Sequence, residues 1–131
     1  MKLANLHLLT AVLATVFGLA FLLAPQATVS MYGVTTDVAG VFMSRLLGAT
    51  YLGIGVLTWK AKVAPWDAAS RAIVAGLATA NVIALPVSLY EQLRGTTNAL
   101  GWLTVVIFAV LAAGYVYFAF NREAMPGSVP A

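Results

Sequence analysis

The chain has 131 residues, of which 62% are hydrophobic and 8% charged, with a formal net charge of +3. A soluble domain carries roughly 25% charged residues, and a small globule buries only about two-thirds of the surface its unfolded chain exposes, so lipid has to cover much of what this chain leaves apolar. The seven Lys and Arg stand singly and make no nucleic-acid patch, while the absence of cysteine excludes disulfides, thiolate metal sites and cysteine nucleophiles.

Crossing roughly 30 Å of hydrocarbon takes about 20 apolar residues in a helix, and four stretches meet that demand. The first is Leu3 to Ala24, ended by Pro25. Lys2 followed by an apolar run is also how a signal peptide begins, but this run exceeds the usual length of about 7 to 15 residues, so a retained span is expected. The second is Val38 to Trp59, which carries Arg45 and has Asp37 as its expected N-cap. The third, Ala72 to Tyr90, has Asn81 at its midpoint and Pro86 inside it; the fourth, Leu100 to Phe120, has Asn98 as its expected N-cap. Short connections give an all-α integral membrane four-helix bundle, up-down-up-down, over residues 1–121. The tail, residues 122–131, contains Pro126, Gly127 and Pro130, has no apolar face and is expected to be flexible.

Four spans put both termini and the middle loop on one side, with Lys2, Lys60, Lys62, Arg71 and Arg122, against Arg94 alone in the opposite loops. The positive-inside rule then orients the chain N-in and C-in. Trp59, Trp66, Trp102, Tyr32 and Tyr90 fall near span ends, where interfacial aromatics sit. The two outer loops, Gly33-Val34-Thr35-Thr36-Asp37-Val38-Ala39-Gly40 and Gly95-Thr96-Thr97-Asn98-Ala99-Leu100-Gly101, match at their Thr-Thr-Asp/Asn steps. Two copies of one helical hairpin would explain the match, and so would the ordinary preference of turns for these residues.

Arg45 is the first candidate for chemistry, because an ionised side chain near the bilayer centre costs about 2.5 to 3.5 kcal/mol on the mildest scale. About 10 Å into its helix, it either snorkels to the outer surface, pairs with Glu91 to fix helix register, or lines with Glu91 a polar site for an anionic headgroup. Asn81 needs a partner in hydrocarbon, which an interhelical hydrogen bond or a ligand would supply, and Thr50 and Tyr51 lie at similar depth. His7, the one histidine, is a weak candidate axial ligand for a haem or chlorophyll. Ala49 with Gly53, and Ala72 with Gly76, have the small-x-x-x-small spacing that lets helix backbones approach. Gly53-Ile54-Gly55 lies inside a helix with no strand before it and is no dinucleotide loop. Pro86 is expected to kink or loosen its helix and to free the Val82 carbonyl.

Four acids and one histidine assemble no triad, no metalloprotease motif and no paired buried carboxylates, so no enzyme and no cofactor are expected. The run Arg45-Leu46-Leu47-Gly48-Ala49-Thr50-Tyr51-Leu52-Gly53-Ile54-Gly55-Val56-Leu57-Thr58-Trp59, with Gly18-Leu19-Ala20-Phe21-Leu22-Leu23-Ala24-Pro25 and Tyr32-Gly33, resembles small bacterial four-span membrane proteins of uncharacterised function over most of the chain. That resemblance implies a bacterial inner-membrane location. A looser similarity to the four-span scaffold family of ergosterol biosynthesis implies an adaptor that tethers enzymes. The reading that follows is a non-catalytic accessory or scaffold subunit, packed among membrane lipids against the subunits of a larger respiratory, photosynthetic or biosynthetic complex. Its rival is a lipid- or quinone-binding or transport protein lined by Arg45, Asn81 and the Pro86 kink.

Overall fold

Proline at position 25 ends the first apolar run and at once starts another helix, because its fixed φ and missing N–H suit a first helical turn. The computed structural model describes residues 2–121 and contains α1 (Leu3–Leu23), α2 (Pro25–Met31), α3 (Val38–Ala61), α4 (Ala68–Leu93) and α5 (Gly101–Phe120). The four long helices are each long and apolar enough to cross a membrane, and together they form an all-α integral membrane bundle. The expected flexible tail lies outside the described residues. The short helix α2 is an addition to the expected elements, and Thr28 fastens it by donating to the carbonyls of Ala20 (3.0 Å) and Ala24 (2.8 Å) at the end of α1.

Caps set the other boundaries. Asp37 Oδ1 accepts from Gly40 N at 2.8 Å and starts α3, as expected of an N-cap. Asp67 Oδ1 accepts from Ser70 N at 2.8 Å, so α4 begins at Ala68, ahead of the expected Ala72, and the Ser70 N–H holds the exposed Asp67 carboxyl below its ordinary range. Asn98 departs from the N-cap reading. Its Oδ1 accepts from Leu100 N at 2.9 Å, the chain makes a further tight turn, and α5 starts only at Gly101. α4 continues through Pro86 to Leu93.

The helices pair as two hairpins, α1 along α3 and α4 along α5. Glycine makes the first pairing possible. A Cβ added to Gly48 would lie 2.6 Å from the Leu22 backbone nitrogen and 2.8 Å from the Gly18 carbonyl, and one on Gly55 would lie 2.7 Å from Thr15 Oγ1. The small residues at the helix contact are therefore Gly18, Gly48 and Gly55, and the expected pairs play no such part: among the described residues nothing lies within 4 Å of a Cβ built on Gly53 or Gly76.

The outer loops share their construction as well as their sequence. Gly33 (φ 78°) and Gly95 (φ 73°) both take the left-handed conformation that other residues adopt only at a cost. Gly40 and Gly101 each sit beneath the threonine four residues earlier, Thr36 and Thr97, so closely that a Cβ would collide with its hydroxyl.

The two hairpins meet at both ends of the bundle. At the end that carries Lys2 and Lys60, here termed the basic end, Leu6 of α1 packs in one buried cluster with Val74, Leu77 and Ala78 of α4 and Leu111, Tyr115 and Phe118 of α5. Beside it runs a buried polar chain. Thr10 Oγ1 donates to the Leu6 carbonyl at 2.9 Å and lies 2.7 Å from the Tyr115 hydroxyl, which lies 3.1 Å from His7 Nδ1. Because the Leu6 carbonyl can only accept, the threonine proton is used there, Tyr115 donates to Thr10, and His7 donates from a protonated Nδ1. At the opposite end, named for α2, Asn98 joins the hairpins: its backbone N–H donates to the Tyr32 carbonyl (2.8 Å), its Nδ2 donates to the Met31 carbonyl (2.9 Å), and Thr104 donates to the Tyr32 hydroxyl (3.2 Å).

Candidate functional site

Between those two junctions the hairpins stand apart and leave a partly open cavity of about 510 Å³, within the range of about 300 to 1,000 Å³ of small-molecule sites. Its walls follow the helical repeat. α1 contributes Thr10, Leu13, Ala14, Phe17 and Phe21; α3 contributes Leu47, Tyr51 and Ile54; α4 contributes Leu77, Ala80, Asn81, Ala84, Ser88 and Glu91; α5 contributes Gly101, Thr104, Ile107, Phe108 and Leu111. From Leu77 to Glu91 the cavity follows α4 for about 21 Å at 1.5 Å per residue, an elongated slot. It ends at a mouth made by Tyr32, Val34, Glu91 and Thr97 at the α2 end.

Polarity is graded along the slot. The deep half is aliphatic and aromatic, apart from Thr10 and Asn81. Asn81 is 7% exposed, and its Nδ2 donates to the Leu77 carbonyl of its own helix at 2.7 Å. The interhelical bond expected from the sequence is therefore replaced by one to the preceding turn. That bond fixes the amide orientation, since only the NH₂ can face a carbonyl, and leaves Asn81 Oδ1 on the cavity wall without a partner among the described residues. Tyr51 lines the same level and packs against Phe21, with ring centroids 6.4 Å apart. At the mouth, Glu91 Oε2 accepts from Thr96 Oγ1 at 2.7 Å.

Arg45 takes no part in this arrangement. Two residues before Leu47, it lies about 200° around α3 at 100° per residue, and it is exposed on the lipid-facing side of the bundle. Arg45 and Glu91 are thus on different surfaces: Glu91 lines the cavity and Arg45 does not. Thr50 is likewise exposed and donates to the Leu46 carbonyl of its own helix at 3.0 Å. His7 is 1% exposed, with its ring 5.7 Å from that of Tyr115 and its Nδ1 bonded to the Tyr115 hydroxyl.

Charge within a span singles out Arg45, whereas the fold gathers other residues around the cavity. Tyr115, an aromatic within an apolar span, is fully buried and joins the hairpins. Ser88 and Glu91 follow Asn81 and Ala84 at intervals of seven, which puts them along one stripe of α4; that spacing was the available signal. Compared with known proteins, the chain matches no family model, no curated protein and no solved structure.

Proposed function

We propose that this protein is a non-catalytic binding or transport protein that holds one elongated, mostly apolar small molecule of lipid type in the cavity between its hairpins. The observation that carries the reading is a slot about 21 Å long with apolar walls and one buried amide whose oxygen has no protein partner, since a pre-formed apolar pocket with a few convergent polar groups is the usual form of a ligand site. The resemblance to small bacterial four-span proteins supports placement in the bacterial inner membrane. Lys2, Lys60, Lys62 and Arg71 at one end, against Arg94 at the other, support the N-in, C-in orientation.

Native mass spectrometry from an uncharged detergent tests this reading, with hexadecanol as the probe. The expected result is saturable binding of one molecule per chain, lost at least tenfold in Ala84→Trp, whose indole would occupy the slot, with helicity unchanged. Adducts that accumulate without saturation and equally in both proteins would overturn it.

A second reading, an accessory subunit packed laterally against other membrane-protein subunits, is favoured by the open faces around Gly53 on α3 and Gly76 on α4, which would let a neighbouring helix approach closely. Migration of the protein with a larger complex after mild solubilisation, abolished by Gly53→Leu, is its expected signature.

A further inference from the structure

We infer that the molecule held in the cavity is an amphiphile whose headgroup carries a protonated amine, bound at the mouth by Glu91; this rests on reading the cavity as a ligand site. Among the described residues, Glu91 is the only Lys, Arg, Asp or Glu that lines the cavity. Its carboxylate receives one hydrogen bond, from the neutral Thr96 hydroxyl at 2.7 Å, and no lysine or arginine is paired with it among the described residues. Arg94, at the C-cap of α4, lies over the Tyr90 ring with its guanidinium carbon 5.4 Å from the centroid. Arg45 is exposed on another face.

Headgroup classes differ in what they meet there. A phosphate or carboxylate head would face a carboxylate with no compensating cation, a like-charge contact that disfavours the charged form. A carbonyl head would offer an acceptor to the Glu91 acceptor and would have to turn to the Tyr32 hydroxyl, which accepts from Thr104, for a donor. An alcohol would donate one hydrogen bond to the carboxylate, whereas an ammonium would add to that bond the Coulombic attraction of an ion pair. The deeper wall agrees in sign, because Asn81 Oδ1, about 15 Å below Glu91 along α4, is also an unpartnered acceptor on a residue more than nine-tenths buried. The carboxylate and the amide of the cavity thus present acceptors at two depths, which places a charged donor at the mouth and the chain below.

The experiment compares hexadecylamine, hexadecanol and hexadecanoate at pH 7 by native mass spectrometry of the purified protein in an uncharged detergent. The amine is expected to bind at least about tenfold more tightly than the alcohol, equivalent to about 1.4 kcal/mol, and the carboxylate more weakly than either. Glu91→Gln, which keeps an acceptor for Thr96, should bring the amine to about the affinity of the alcohol and weaken the alcohol far less than the amine, while Glu91→Asp should retain the amine preference. Equal binding of all three, or an amine preference that survives Glu91→Gln, would overturn the headgroup assignment while leaving the cavity as a site, provided Ala84→Trp still abolishes binding. Absence of saturable binding by any of the three would overturn the cavity reading and the headgroup assignment together.

Discussion

The Tyr115 hydroxyl of α5 lies 2.7 Å from Thr10 Oγ1 of α1, and this contact, with the Leu6 cluster beside it, ties the second hairpin to the first at the basic end. Tyr115→Phe removes a donor and an acceptor at once and leaves His7 Nδ1 without its partner. Interhelical hydrogen bonds in membranes average about 0.6 kcal/mol, and a buried polar group left unpaired costs about 1 to 3 kcal/mol. A loss of about 1 to 2 kcal/mol in a denaturant titration of the detergent-solubilised protein is therefore expected. Unchanged stability would show that the junction rests on the apolar cluster alone.

The glycines of α3 should divide sharply. Gly48→Ala places a methyl 2.6 Å from the Leu22 backbone nitrogen, where no flexible side chain can yield, so α1 and α3 must separate; overpacking of this kind costs about 1 to 3 kcal/mol. Gly53→Ala meets nothing within 4 Å and should be neutral, or stabilising by up to about 1 kcal/mol through helix propensity. Thermal unfolding of the two variants side by side checks the assignment, and equal effects would contradict it.

Much of this architecture was legible because span length and polarity are properties of the sequence alone. The apolar runs gave four crossing helices, Asp37 gave the start of α3, and the shared outer-loop pattern returned as paired left-handed glycines at positions 33 and 95. Partner choice was not legible. Small-x-x-x-small spacing marks Gly53 and Gly76 as readily as Gly48, and only the rotation of α3 about its axis turns Gly48 and Gly55 toward α1. Asn98 fits a cap by its residue type, but its reach to Met31 and Tyr32 depends on where α2 brings that loop. The cavity was invisible for the same reason, since it arises from a gap between hairpins that are joined at their ends, and no residue type marks a gap.

Arg45 and Glu91 should behave independently. The sequence allowed an ion pair, but the two residues occupy different surfaces, with Glu91 bonded to Thr96. A double-mutant cycle with Arg45→Leu and Glu91→Leu should give additive effects within about 0.5 kcal/mol, as for sites without shared partners. Arg45→Leu alone should be neutral or stabilising, because it removes a charge from a lipid-facing surface. A coupling energy above about 1 kcal/mol would place the two side chains in contact.

The most direct test of the cavity as a ligand site is photolabelling with a hexadecylamine that carries a diazirine at mid-chain, followed by peptide mapping of the adducts. The expected adducts fall on cavity-wall residues such as Leu77, Ala84, Ile107 and Phe108, with competition by unlabelled hexadecylamine and loss in Ala84→Trp. Adducts confined to outward-facing residues such as Val56, Ile83 and Val106, unaffected by competitor, would contradict it.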